Sequence, residues 1–194
     1  MKYPEIFLLP ALMFADYFLT VAGSIKRDKK YSEHFKVEHY ELNPIWQKSI
    51  AEKKWFNVRH ILLTVSITAI LAGMVEFCDL PNSIIQCILG ALFVSFSIVV
   101  GRHLSNILMF RYLIRRPNEI SGQVTTTHSL MLWWSMYQYL AALVPIAIIA
   151  LFAPSPFAIG ALIGAALIFV VHLNWIRKYK KKLKKSNKDM KQTA

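Results

Sequence analysis

An acidic residue stands in the middle of the first long apolar run. In Leu12-Met13-Phe14-Ala15-Asp16-Tyr17-Phe18-Leu19-Thr20, Asp16 has apolar neighbours on both sides. A charge at the centre of a bilayer costs at least about 2.5–3.5 kcal/mol on insertion scales. Such a carboxyl must be protonated, paired or in contact with water. Thr20 lies one helical turn on, on the same face. The pair suits either a proton or cation site, or a buried hydrogen bond that sets helix packing.

A second group is built from imidazoles and their polar neighbours. His60 follows Arg59, and His103 follows Arg102 with Asn106 on the next turn. His128 opens a later apolar run that also holds Gln138, while His172 and Asn174 close the last one. Glu41 and Asn43 lie in a charged segment between the first two runs. Three chemistries compete for this set. Arg59, His60, Arg102, His103, Asn106, His128 and Gln138 would line a polar vestibule that draws anions. Several His with Asp or Glu would also suit zinc. Alternatively, these residues snorkel at the headgroup boundary. There is no His-Glu-x-x-His and no paired-Cys motif, so no metal and no other cofactor is expected. His34 and His39 read as part of a solvated, pH-sensitive loop. No Gly-x-Ser-x-Gly elbow or phosphate-cradling loop is present, and a non-enzymatic role leads.

The elements that must position these groups follow from composition. The chain is 55% hydrophobic with mean hydropathy +0.39, yet carries a net charge of +12. A membrane protein combines those values when its basic residues sit in loops and tails. A helix needs roughly 20 apolar residues to cross the hydrocarbon. Five stretches qualify, near 6–23, 58–77, 83–101 and beyond, 126–152 and 157–175. The expected fold is an all-α polytopic bundle. No small-residue cleavage site follows the first run, which is expected to remain as a span. Short turns at 78–82 and 153–156 should make spans two and three, and spans four and five, antiparallel neighbours. Cys78 and Cys87 flank the first of these turns, where a bridge would need an oxidising compartment.

Of the 23 Lys and Arg residues, only Lys2 falls at the end opposite the rest. By the positive-inside rule the N-terminus is expected outside and the C-terminus in the cytoplasm of a cell membrane. Residues 1–176 then form the bundle, with a long cytoplasmic loop at 24–57, and 177–194 form a polybasic tail. In that loop Asn43-Pro44 is a good helix start, and 45–56 mixes Trp with Lys as an interfacial helix does. Arg177, Lys178, Lys180, Lys181, Lys182, Lys184 and Lys185 are expected to meet anionic headgroups or a cytosolic protein partner. Specific nucleic-acid binding is not expected, because one aromatic residue and no recognisable nucleic-acid fold accompany that charge.

The order Asp16, Thr20, Gly23, then Glu41-Leu42-Asn43-Pro44, resembles a pattern in uncharacterised small prokaryotic multi-pass membrane proteins. Those carry an intramembrane Asp followed by Glu-x-Asn-Pro. The resemblance covers roughly the first quarter of the chain. It implies no activity, but it joins Asp16, Glu41 and Asn43 as one unit.

Together these features lead to an oligomeric channel or transporter with a cytoplasm-facing vestibule. Two alternatives stand beside it: a membrane sensor or scaffold, and an intramembrane metal-dependent hydrolase. Small-x-x-x-small faces at Gly160–Gly164 and Ser97–Gly101 suit packing inside the bundle or between copies. A bundle this small is expected to enclose little volume, which would place any aqueous path between protomers.

Overall fold

A computed structural model describes residues 3–37 and 40–192, with side chains described except at 30 and 185–192. Lys2, His39 and the side chain of Lys185 therefore lie outside the described residues. A 3-10 turn at Pro4–Phe7 leads into α1 (Leu8–Lys26), and a wider π turn at Arg27–Tyr31 follows it. Next come α2 (Ser32–His34), β1 (Phe35–Val37) and α3 (Gln47–Ala51). The remaining elements are α4 (Val58–Phe77), α5 (Asn82–Arg115), a 3-10 turn at Pro117–Glu119, β2 (Val124–Thr126), α6 (His128–Phe152) and α7 (Pro156–Gln192).

Five of these segments are long and apolar enough to cross a membrane: Pro4–Lys29, Val58–Phe77, Asn82–Arg115, His128–Phe152 and Pro156–Lys184. Local chemistry sets their starts. The Asn57 side chain accepts from the Arg59 and His60 N–H groups at 3.0 and 3.4 Å, and its amide donates to Ser49 at 2.7 Å. Thr127 caps α6 through the Leu130 N–H, and Ser155 caps α7 through the Ala158 N–H.

α5 is the central post. It packs against α1 on one side and α7 on the other, and α6 packs on α7. The α5–α7 seam is the closest. A Cβ on Gly160 would overlap the Cys87 carbonyl, and one on Gly164 would overlap the Ala91 carbonyl. One on Gly90 would overlap the Phe157 carbonyl. This small-residue seam therefore serves contacts within one chain. Nothing stands near Gly101, so the Ser97–Gly101 face makes no such approach.

Two expectations change. α4 and α5 are joined by a short turn, yet they do not pack backbone to backbone along their length. α4 leans on α1 instead and joins the core through Leu71, which is buried with Ile6, Leu9, Met13, Ile85 and Leu89. The expected helix at 45–56 is only the short α3, ended by Lys53 in the left-handed region (φ 54°). Its Ile50 is buried against Tyr17 and Val21 of α1, so α3 is held to the bundle by an apolar anchor. The cysteines Cys78 and Cys87 are free. A feature absent from the sequence reading is a two-stranded parallel pair, β1 with β2, in the register Phe35 to Val124 and Val37 to Thr126. Beside it the His34 ring Nδ1 meets the Gly122 carbonyl at 2.9 Å.

Candidate functional site

α1 presents Met13, Thr20 and Ser24 on its buried side, with Asp16 between them. That face meets α5 at His103. The ring Nε2 of His103 stands 3.2 Å from Asp16 Oδ1 and 3.1 Å from Thr20 Oγ1. The Thr20 hydroxyl donates to the Asp16 carbonyl at 2.8 Å, which leaves its lone pairs to accept from the ring. Nε2–H therefore serves both oxygens. The opposite ring nitrogen, Nδ1, is buried with no hydrogen-bond partner among the described residues. This is not the relay of a hydrolase triad, in which acid and nucleophile hold opposite ring nitrogens. It is a paired carboxyl with one imidazole nitrogen left over.

Gly23 continues the same α1 face. A Cβ there would overlap the Tyr40 hydroxyl, so the glycine makes room for the Tyr40 ring. The chain next to Tyr40 then folds back into the bundle. Leu42 is the reason: it is buried among Leu132, Met136 and Ile176 of α6 and α7. Burying a leucine contributes roughly 1.5–3 kcal/mol. With Leu42 pinned, Glu41 and Asn43 are brought to the wall that holds Asp16. Glu41 accepts from the Asn43 N–H at 2.6 Å, and the Asn43 side chain accepts from the Ile45 N–H at 3.1 Å. Burial raises the Glu41 carboxyl above the ordinary carboxylate range. The Asn43 N–H bond and neighbouring His103 and Arg102 oppose the rise, while Asp16 adds to it.

These groups line one cavity of about 370 Å³ inside a single chain. Asp16, Thr20, Glu41, Asn43, His60, Arg102 and His103 all face it. The expectation that the bundle encloses little volume is corrected: the small residues of the α5–α7 seam (Ala91 and Gly164) also border the space. Arg102 donates to Ser135 and lies over the Tyr139 ring at 4.9 Å, which holds its charge against α6. His60 is enclosed by the rings of Tyr17, Trp46 and Phe14 at 4.6, 5.4 and 5.9 Å.

Other expected residues lie elsewhere. Asn106 and Gln138 line a second cavity. Arg59 is exposed and borders neither space. His128 is buried beside Tyr179 and also borders neither. Arg177, Lys178, Lys180, Lys181, Lys182 and Lys184 lie on the exposed far end of α7, with Lys180 over the Trp133 ring at 5.2 Å.

Sequence reasoning noted His172 but did not place it in the site. It lines the first cavity with Tyr139, at a ring distance of 4.5 Å, and its Nδ1–H donates to the Ile168 carbonyl at 3.0 Å. Its spacing of eight residues from Gly164 puts both on one face of α7, a signal present in the chain. Among the described residues, no three His, Cys, Asp or Glu side chains stand together as a metal site.

Comparison with protein-family models, with curated proteins and with solved structures gives no match for this chain.

Proposed function

We propose that this integral membrane protein is of transporter type, and that it couples a proton to a small polar solute held in the first cavity. One observation carries the reading: Asp16 is paired with His103 on the wall of a cavity that also holds Glu41 and Arg102. A carboxyl–imidazole pair in an apolar bundle takes up or releases a proton at a cost set by what occupies the space beside it. The unused Nδ1 of His103 then serves as an acceptor for a bound solute or its water. Asp16 is the proton-responsive group, and Glu41 and Arg102 balance the charge of the occupant.

The cavity is lined by Glu41, Leu42, Asn43 and Trp46 from the loop at the basic end of the bundle, the end that the positive-inside rule assigns to the cytoplasm. The segment 40–46 is its plug. The exposed Lys and Arg of α7 lie at anionic headgroups there, each contributing on the order of 1 kcal/mol.

The test is proton movement into liposomes holding the full chain and an enclosed pH-reporting dye, under an imposed pH gradient. Flux above protein-free liposomes is expected. Asp16→Asn and His103→Gln should each lower it by about tenfold or more, the effect of losing a charged hydrogen bond. Arg59→Gln, which lies away from the cavity, should leave it unchanged. Absence of flux in the parent, or equal flux in Asp16→Asn, removes the reading.

A further inference from the structure

A second cavity, of about 390 Å³, lies on the other side of Leu42, Arg102 and His103, which border both spaces. Its chemistry differs from the first. Among the described residues that line it none is acidic, while Arg27 and Arg102 both face it. The Arg27 guanidinium is stacked on the Tyr40 ring at 5.3 Å and bonded through Nε and Nη2 to Asp28. Its Nη1 is buried with no partner among the described residues. Asn106 adds further donors at the same place. A buried guanidinium N–H without a partner carries a desolvation penalty that a bound anion would remove.

Most of the rest of the wall is apolar, with Phe35, Met109, Phe110, Met131 and Trp134, and Thr126, Ser135 and Gln138 add neutral polar groups. A free anion would leave that surface uncovered, and an uncharged chain would leave Arg27 Nη1 unpaired. Only a molecule with both parts satisfies the whole lining. The volume lies within the range of small-molecule pockets, about 300–1,000 Å³, and suits one chain rather than two.

We infer that the second cavity binds a single-chain anionic amphiphile, with its phosphate or carboxylate head at Arg27 and Arg102 and its hydrocarbon chain along Phe110, Met131 and Trp134. This site shares Leu42, Arg102 and His103 with the first cavity, but its assignment does not rest on proton coupling there.

The experiment is calorimetric titration of the full chain in detergent with octyl phosphate, inorganic phosphate and octanol. Octyl phosphate should saturate one site per chain. Hexyl phosphate should bind more weakly, by roughly fourfold for each methylene lost. Inorganic phosphate and octanol should bind at least about tenfold more weakly than octyl phosphate, since each lacks half of the recognition. Arg27→Gln should weaken octyl phosphate by about tenfold or more. Equal binding of inorganic phosphate would mark a free-anion site, and equal binding of octanol a plain apolar groove; either overturns the inference. So does unchanged binding by Arg27→Gln. Should that variant not fold, Met131→Trp fills the apolar wall without touching the charges. It should abolish octyl phosphate binding, and retained binding overturns the proposal.

Discussion

Glu41 carries a clear consequence for stability at the scale of a single residue. Its carboxyl binds a proton more tightly in the folded chain than in the unfolded one, because burial penalises the charged form. Its contribution is thus fully present below the unfolded value near 4.5 and is lost as pH rises through the folded value. Glu41→Gln should therefore raise the thermal midpoint at neutral pH and leave it near the parent's in acid, measured by thermal unfolding in detergent at both pH values. A lower midpoint for the variant at neutral pH would contradict this. Gly23 gives a second prediction. Gly23→Ala forces its new methyl onto the Tyr40 hydroxyl and should cost about 1–3 kcal/mol. Adding Tyr40→Phe should recover part of that loss, and a double variant no better than the single one would place the strain elsewhere. Asp16, Thr20 and Gly23 were legible as one helix face from spacing alone. Their contact with His103 was not, because spacing along α1 says nothing about which turn of α5 lies opposite.

Among the elements, the α5–α7 seam and the inserted Leu42 decide the architecture. Gly160→Leu drives a side chain into backbone at Cys87, which cannot swing aside. A loss of about 3 kcal/mol or more is expected by denaturant titration. Gly101→Ala meets open space within a helix and should stabilise by about 0.5–1 kcal/mol. The same sequence motif thus has opposite outcomes at its two occurrences. The motif alone did not separate them, since a glycine's worth depends on the neighbour it admits. Leu42→Ala should cost about 2–3 kcal/mol and free the plug, read as faster hydrogen exchange across 40–46. Equal exchange in parent and variant would show that another contact holds the segment. The span lengths were legible because apolar runs have few other uses. The helix expected at 45–56 stopped early, as the chain turns at Lys53 and anchors through Ile50.

For the whole molecule, direction across the membrane is the property to check. Cys78 lies exposed in the turn between α4 and α5, opposite the basic end. It should react with a membrane-impermeant maleimide on intact cells, whereas a cysteine placed at Lys182 should react only after permeabilisation. The reverse pattern would invert the topology. Charge asymmetry is the basis of this expected direction, but it could not reveal that one chain forms its own cavity. That depended on Ala91 and Gly164, which face each other across α5 and α7, and on one leucine far from both in sequence. The parallel pair β1–β2 adds a last consequence. It fastens the approach to the plug, at Phe35–Val37, to the linker between α5 and α6, at Val124–Thr126. Two connections distant along the chain are thereby joined by backbone pairing. A tilt of α6 against α5 must therefore carry this pair along or break it, so the strand at Phe35–Val37 is tied to the helix linker and is not a free loop.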